Sequence, residues 1–327
     1  MLKINRRTFL NVTAGASMII ANYGKTNTLN KIPIILATDI GDDIDDTWAL
    51  MMLLRMSQFD VKLIITDFGN AIYRCRLLAK LLEITQNTHI PIGIGNNATN
   101  QPGQQSKWLG NYNLDTYPGK IYQDGTKALI ETISDSIEPI TLLSIGPTPT
   151  IAKALKYAPK IANNARFVGM HGSIFNGYDG TNTPVAEWNV KVDPKSLQTV
   201  FKAPWEITIT PLDTCGLVTL DGLHYQKLYQ SKDAWLKTLI ENYSSWLPAP
   251  WNEDINQFKT KSSTLFDTVA VQLAASEDLF KMKTLPLRIT DDGFTIIDEI
   301  NGRPVRCAIE WKDLNAFKEK LVKILLN

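Results

Sequence analysis

The sequence predicts an α/β fold: an open, mostly parallel sheet with helices on both faces and a small antiparallel extension near the C-terminus. Three observations predict it. Apolar strand-like runs alternate with helical patterns through the first two thirds of the chain. The unusual polar residues stand just after those runs, where parallel sheets bind their ligands. The tail differs, with short runs joined by the turn sequences Asp291-Asp292-Gly293 and Asn301-Gly302.

The elements follow in order. Ile32–Thr38 reads as a buried strand that opens at Pro33 and ends in an acidic loop. Asp46–Ser57 reads as a helix, because Trp48, Leu50, Met51, Leu53 and Leu54 crowd one side and Asp45 and Asp46 suit its first turn. Val61–Thr66 is the next strand, Ala71–Ile84 a helix with Leu77, Leu78, Leu81 and Leu82 at helical spacing, and Ile90–Gly95 a third strand. Ile140–Ile145 and Arg166–Met170 repeat the pattern around the helix Thr148–Tyr157, and Glu206–Thr210 is a further strand. Leu285–Thr290, Phe294–Ile297 and Val305–Trp311 read as antiparallel strands, and the amphipathic helix Asp313–Leu326 closes the chain. No repeat, low-complexity segment or long linker divides the sequence, so residues 31–327 read as one domain.

Composition excludes several classes. The 327 residues are 44% hydrophobic and 20% charged, with 34 Lys+Arg against 33 Asp+Glu. A disordered chain would be poorer in apolar residues and further from neutral, and a nucleic-acid binder would show a basic excess. No apolar run reaches the roughly 18 residues that span a bilayer. Cys75, Cys215 and Cys307 are too few and too scattered for a disulfide framework or a zinc site. The N-terminus reads as an address: Arg6-Arg7 precedes Phe9-Leu10 and a weakly apolar stretch from Val12 to Ala21, as in a twin-arginine export signal. Residues 1–30 are therefore expected to be a signal segment, and the mature protein to be periplasmic or extracellular.

The strongest signal is the loop after the first strand. Between Asp39 and Asp46, five of eight residues are aspartate. Carboxylates crowded this closely repel one another, and a bound cation relieves that repulsion. Oxygen donors select a hard cation such as Ca²⁺ or Mg²⁺ over zinc. The spacing is not that of an EF-hand loop.

Here the sequence resembles a family. Thr38-Asp39-Ile40-Gly41-Asp42-Asp43-Ile44-Asp45-Asp46 after an apolar strand is similar to the signature of the inosine-uridine-preferring nucleoside hydrolases. Asp67-Phe68-Gly69-Asn70, Ser144-Ile145-Gly146-Pro147, Thr183-Pro184-Val185-Ala186-Glu187-Trp188-Asn189 with Asp193-Pro194, and Leu265-Phe266-Asp267-Thr268-Val269-Ala270 match later blocks in family order. The blocks span about residues 31–325. The resemblance implies Ca²⁺-dependent hydrolysis of the N-glycosidic bond of ribonucleosides, on an open α/β sheet, in a homo-oligomer that is a dimer or tetramer.

It also implies roles. Asp39 would ligate Ca²⁺ and act as general base on a metal-bound water, with Asp46, Asp267 and the main-chain carbonyl of Ile145 completing the shell. Asp45 and Asn189 would hold the 2′- and 3′-hydroxyls, Asn70 would lie near the water and ribose, Glu187 would take the 5′-hydroxyl and Met170 would pack near the sugar. Read as residues alone, Asn70 fits a helix cap, Asn189 a loop-backbone partner and Met170 the core equally well.

Four positions depart from the family pattern. Ala37 stands where a further aspartate is usual, Asp42-Asp43 lengthens the acidic loop, Thr181 replaces an asparagine that often contacts the 5′-hydroxyl, and Phe266 precedes Asp267 where some members carry a histidine that protonates the leaving base. Without that acid, aromatic stacking would activate the base; Trp108, Trp246, Trp251 and Phe266 are the candidate rings, and His171 a candidate acid. Two other readings compete. A phosphohydrolase with Asp39 as nucleophile would want an aspartate where Gly41 stands. A non-catalytic, Ca²⁺-dependent sugar- or nucleoside-binding protein would account for Ala37 and Phe266 but needs no base at Asp39. An unusual N-ribosyl compound is an alternative substrate.

Overall fold

The computed structural model describes residues 31–248 and 254–327. The expected export segment and Trp251 lie outside the described residues. Among the described residues ten strands form one sheet: β1 (Ile32–Thr38), β2 (Phe59–Thr66), β3 (Ile92–Ile94), β4 (Ile121–Tyr122), β5 (Ile140–Ser144), β6 (Ala165–Met170), β7 (Ile207–Thr210), β8 (Phe280–Ile289), β9 (Thr295–Ile297) and β10 (Arg303–Trp311). Their order across the sheet is β4-β3-β2-β1-β5-β6-β7-β10-β8-β9. Every pairing from β4 to β10 is parallel; β8 pairs antiparallel with β10 and with β9. The expected antiparallel tail is present, and β10 joins it to the main sheet as a parallel neighbour of β7.

Among the described residues these α-helical segments accompany the sheet: α1 (Asp45–Arg55), α2 (Ala71–Ile84), α3 (Ser106–Leu109), α4 (Gly125–Ser134), α5 (Pro149–Tyr157), α6 (Trp188–Lys191), α7 (Pro194–Lys202), α8 (Leu212–Cys215), α9 (Gly222–Tyr229), α10 (Ala234–Trp246), α11 (Phe266–Ala275) and α12 (Leu314–Leu326). The strands and helices read from the sequence are present, with β3 shortened behind Pro91. The helices α4, α7 and α9–α11 escaped sequence reading. Among the described residues no helix is long and apolar enough to cross a membrane.

Strand β1 shows why the sheet sits between two helical layers. Its side chains alternate faces: Ile34 and Leu36 enter the core packed by α1, α2, α11 and α12, whereas Ile35 and Ala37 enter the core packed by α4, α5 and α7. A strand buried on both faces reads as an unbroken apolar run, as IPIILAT does. Fully burying each such side chain contributes about 1.5–3 kcal/mol.

The topology also locates a crevice. From β1 the chain winds outward to β2, β3 and β4, then returns to β5 on the other side of β1. Loops leaving β1 and β5 therefore part in opposite directions, and their carboxyl ends frame a gap suited to a ligand. The acidic loop leaves β1 there, and Ile145-Gly146 leaves β5.

Candidate functional site

Asp39 is the first residue beyond β1, and Asp45 and Asp46 open α1. The loop between them is held by its main chain. Gly41 adopts φ +107°, a left-handed conformation that favours glycine, and its carbonyl accepts from the Tyr73 hydroxyl at 3.1 Å. A Cβ at Gly41 would stand 2.6 Å from the Tyr73 ring. The buried Arg74 guanidinium donates to the carbonyls of Asp39, Ile40 and Phe68. Gln105 Nε2 donates to the Asp43 carbonyl at 2.8 Å and Trp246 Nε1 to the Asp42 carbonyl at 2.9 Å. The carbonyls are thus fixed from outside, and the side chains of Asp39, Asp45 and Asp46 are buried.

Asp267 arrives from the far end of the sequence, in the first turn of α11. Its N–H donates to Asp45 Oδ2 at 3.3 Å. Asp45, Asp46 and Asp267 each bring a carboxylate oxygen within 4.8 Å of the others, and all three are buried. The N-termini of α1 and α11 both face this point, and helix N-termini favour negative charge. Thr38 Oγ1 donates to Asp46. Asp39 stands beside the triad rather than within it, against β5: a Cβ on Gly146 would lie 2.4 Å from Asp39 Oδ1, so only glycine fits there.

The electrostatics of the cluster are one-sided. Burial is the largest cause raising each carboxyl above its ordinary range, and for Asp45, Asp46 and Asp267 neighbouring carboxylates add to it. Asp39 is pushed up to about 7 by burial, against the pull of Arg74. Four buried carboxyls with so few N–H donors are costly as anions. An all-oxygen donor set of this kind fits a hard divalent cation.

The segment after β6 supplies the opposite wall. Glu187 is 2% exposed; one oxygen accepts from Gly172 N at 3.0 Å and the other from Asn189 N at 2.7 Å. Burial raises its carboxyl to about 7. Asn189 Nδ2 donates to the Met170 carbonyl at 3.1 Å and is 3.4 Å from the Ile145 carbonyl, with Met170 Sδ at 3.3 Å. Asn189, Met170 and Ile145 therefore meet at the carboxyl ends of β5 and β6, with the Asn189 Oδ1 left to accept.

The other residues picked from the sequence have partners of their own. Asn70 caps α2, accepting from Tyr73 N at 2.9 Å and donating to the Gln101 carbonyl. His171 is 1% exposed, its Nε2 is 3.1 Å from the Gly146 carbonyl, and burial lowers it to about 4, so it is neutral at physiological pH. That geometry suits bracing the Gly146 turn. The Trp108 ring is covered by the Lys80 ammonium at 3.9 Å and belongs to the packing between α2 and α3. Trp246 is buried, and its indole N–H braces the acidic loop. Phe266 is the candidate ring beside the triad, one residue from Asp267.

Several residues were missed. Asp213 accepts from the N–H groups of Ile174, Phe175 and Asn176 and so moors the segment that leads to Glu187. Its place just after a predicted strand was the available signal. Arg74 hides on the apolar face of a helix, and nothing in the periodicity marks it. Tyr178 carries no sequence signal; its ring meets Phe266 edge-on at 6.0 Å.

The sequence matches the model of the inosine-uridine preferring nucleoside hydrolase family over residues 34–319. It is 26% identical over 318 residues to the non-specific ribonucleoside hydrolase RihC of Escherichia fergusonii, covering 90% of this chain and 98% of that one. It is 26% identical over 274 residues to the probable uridine nucleosidase 2 of Arabidopsis thaliana, covering 80% and 83%. Among solved structures, the fold is similar to the inosine-uridine preferring nucleoside hydrolase from Bacillus anthracis, with TM-score 0.70 at 20% identity, covering 90% of this chain and 99% of that one. A purine-preferring ribonucleoside hydrolase from Gardnerella vaginalis is similarly close, with TM-score 0.71 at 18% identity and coverage of 90% and 99%.

Proposed function

The chain belongs to the inosine-uridine preferring nucleoside hydrolase family, and we propose that it hydrolyses the N-glycosidic bond of ribonucleosides to free base and ribose with Ca²⁺ as its metal. The observation that supports this reading most directly is the buried group of Asp39, Asp45, Asp46 and Asp267 at the gap between β1 and β5. Asp46, Asp267 and Asp39, with the Ile145 carbonyl, would hold the ion, and Asp45 is close enough to join them. When bound, Ca²⁺ would neutralise the carboxylates, anchor the ribose diol and polarise a water.

The chain's own groups do the rest. Asp39 takes a proton from the water that attacks C1′, as a carboxylate fixed against Gly146 and pointed into the cleft. Asp45 and the Asn189 Oδ1 accept from the 2′- and 3′-hydroxyls. Glu187 accepts from the 5′-hydroxyl, and Met170 lies under the sugar. Held this way, the ribose presents C1′ to the water, and orientation itself contributes to the rate. The base departs with the C1′–N bonding pair and takes up a proton from solvent, and the oxocarbenium-like sugar it leaves, which the surrounding carboxylates favour, is captured by the water.

The related proteins range from uridine to purine preference in their names, so base choice is read from assay. The test is ribose release from a panel of purine and pyrimidine nucleosides, with EDTA and with Ca²⁺ restored. Release that stops with EDTA and returns with Ca²⁺ supports the reading. No release from any nucleoside, with Ca²⁺ still bound, favours the sugar-binding alternative. Residues 31–327 are taken as one catalytic domain, assembled as a dimer or tetramer, which light scattering would measure. The Arg6-Arg7 segment is proposed to direct export; fusion of residues 1–30 to a reporter, with and without Arg6→Lys/Arg7→Lys, tests it.

A further inference from the structure

We propose that Tyr178 is a substrate-binding residue that donates a hydrogen bond to the 5′-hydroxyl oxygen of the nucleoside and so sets the preference for a free 5′-hydroxyl. This rests on the reading above, in which Glu187 meets the 5′ end of the sugar.

The turn that carries Tyr178 is closely constrained. Gly177 N donates to the Thr181 carbonyl at 2.8 Å, and Thr181 N and Oγ1 donate to the Tyr178 carbonyl at 3.2 and 3.1 Å. Asp179 adopts φ +56° and Gly180 φ +70°. A left-handed aspartate costs of order 1 kcal/mol or more, so the surrounding contacts must hold this turn in place. The side chain is fixed at both ends. The ring meets Phe266 edge-on, one residue from the carboxylate triad. The hydroxyl accepts from Trp188 N at 3.0 Å, the N–H that follows Glu187 in the chain.

That last contact decides what the hydroxyl can do. Its oxygen already accepts from the main chain, and among the described residues its proton is donated to no protein group. Glu187, beside it, offers acceptor oxygens when ionised. A substrate hydroxyl needs both an acceptor for its proton and a donor for its oxygen. Glu187 supplies the first and Tyr178 the second. The residue is 38% exposed, and its partial burial together with the nearby Glu187 carboxylate raises the phenol above its ordinary range, so it remains a donor throughout the physiological range. The position also compensates for Thr181, whose hydroxyl is turned back to the Tyr178 carbonyl.

The experiment compares a ribonucleoside with its 5′-deoxy analogue on wild-type protein, Y178F and Y178H, all with Ca²⁺. Wild type is expected to favour the 5′-hydroxyl substrate in kcat/KM by at least about tenfold. Y178F, which keeps the ring on Phe266, is expected to lose about tenfold on the ribonucleoside and less than about twofold on the 5′-deoxy analogue. Y178H, which restores a ring with a donor, should recover part of the preference. Equal loss on both substrates, or no loss on either, overturns the assignment while leaving the hydrolase reading intact. Wild-type protein inactive on every nucleoside overturns the hydrolase reading itself, and this assignment with it.

Discussion

Two groups of buried aspartates in this molecule look alike in the sequence and behave oppositely in the structure. Asp67, just after β2, accepts from Thr150 N at 2.9 Å, Thr150 Oγ1 at 2.7 Å, Asn96 N at 2.9 Å and Phe68 N at 2.9 Å. Asp213, just after β7, accepts three backbone N–H groups. Asp39, Asp45, Asp46 and Asp267 have few such donors and face one another. The difference teaches how to tell a mooring carboxylate from a ligating one. Burial is common to both; N–H donors compensate the first kind, and the second kind is left for a cation and a substrate.

The largest expected effect breaks the second group. Asp39→Asn keeps the shape but removes the base, and should lower kcat by about 10³-fold, within the range general-base losses usually span. Its metal-free melting temperature should hold or rise, because one repelling charge is gone. A clear fall in that temperature, measured by calorimetry, would place Asp39 with the mooring group instead.

Next comes the first group. Asp67→Ala strands the buried Thr150 N–H and the half-buried Phe68 N–H, while Asn96 N–H keeps Thr150 Oγ1 at 2.8 Å, and each unpaired buried donor is costly. Stability should fall by about 3 kcal/mol in urea titration, while kcat per folded molecule stays within a few-fold of wild type. A large fall in kcat without loss of stability would show that Asp67 acts at the site. Slightly smaller is the effect of Asp267→Asn on metal linkage. Wild-type protein with Ca²⁺ at a hundred times its Kd should gain about 2.7 kcal/mol. The variant should show little of that gain at the same concentration, and an undiminished gain would remove Asp267 from the shell.

Much of this was legible before the structure. The apolar run of β1 and the aspartates behind it located the fold's centre and its crevice, because a strand buried on both faces and a crowd of like charges are both local patterns. The five ordered blocks singled out Asp39, Glu187, Asn189 and Asp267, all of them buried in the structure. What was not legible was long-range. Arg74 looks like any helical arginine until its guanidinium is seen on three carbonyls of the acidic loop and the strand beside it. The pairing of Tyr178 with Phe266 joins positions far apart in sequence through a turn that no periodicity marks. Helices α9 and α10 escaped because their apolar spacing is diluted by exposed polar residues, and their place is set by packing on α1 and α12.

The smallest effect is the sharpest check on the register of the acidic loop. Asp42 and Asp39 are three residues apart, and a sequence reading alone could exchange their roles. The structure separates them. The Asp42 side chain is about one-third exposed and stands 3.5 Å from Arg74, a pairing of the kind worth roughly 0–1 kcal/mol. What the loop needs from residue 42 is its carbonyl, which accepts from Trp246 Nε1 and survives truncation to alanine. Arg74 keeps its three main-chain acceptors in that variant, so the loop should stay in place. Asp42→Ala should therefore change kcat by no more than a few-fold and stability by less than about 1 kcal/mol, against the thousandfold loss for Asp39→Asn. Trp246→Phe, which removes the donor to that same carbonyl, should cost more stability than Asp42→Ala does, because the main chain rather than the Asp42 carboxylate is what the fold holds. Equal losses of turnover from Asp42→Ala and Asp39→Asn would mean that the loop's carboxylates act as an undifferentiated cluster, and the division between base, ligands and exposed side chain would fall.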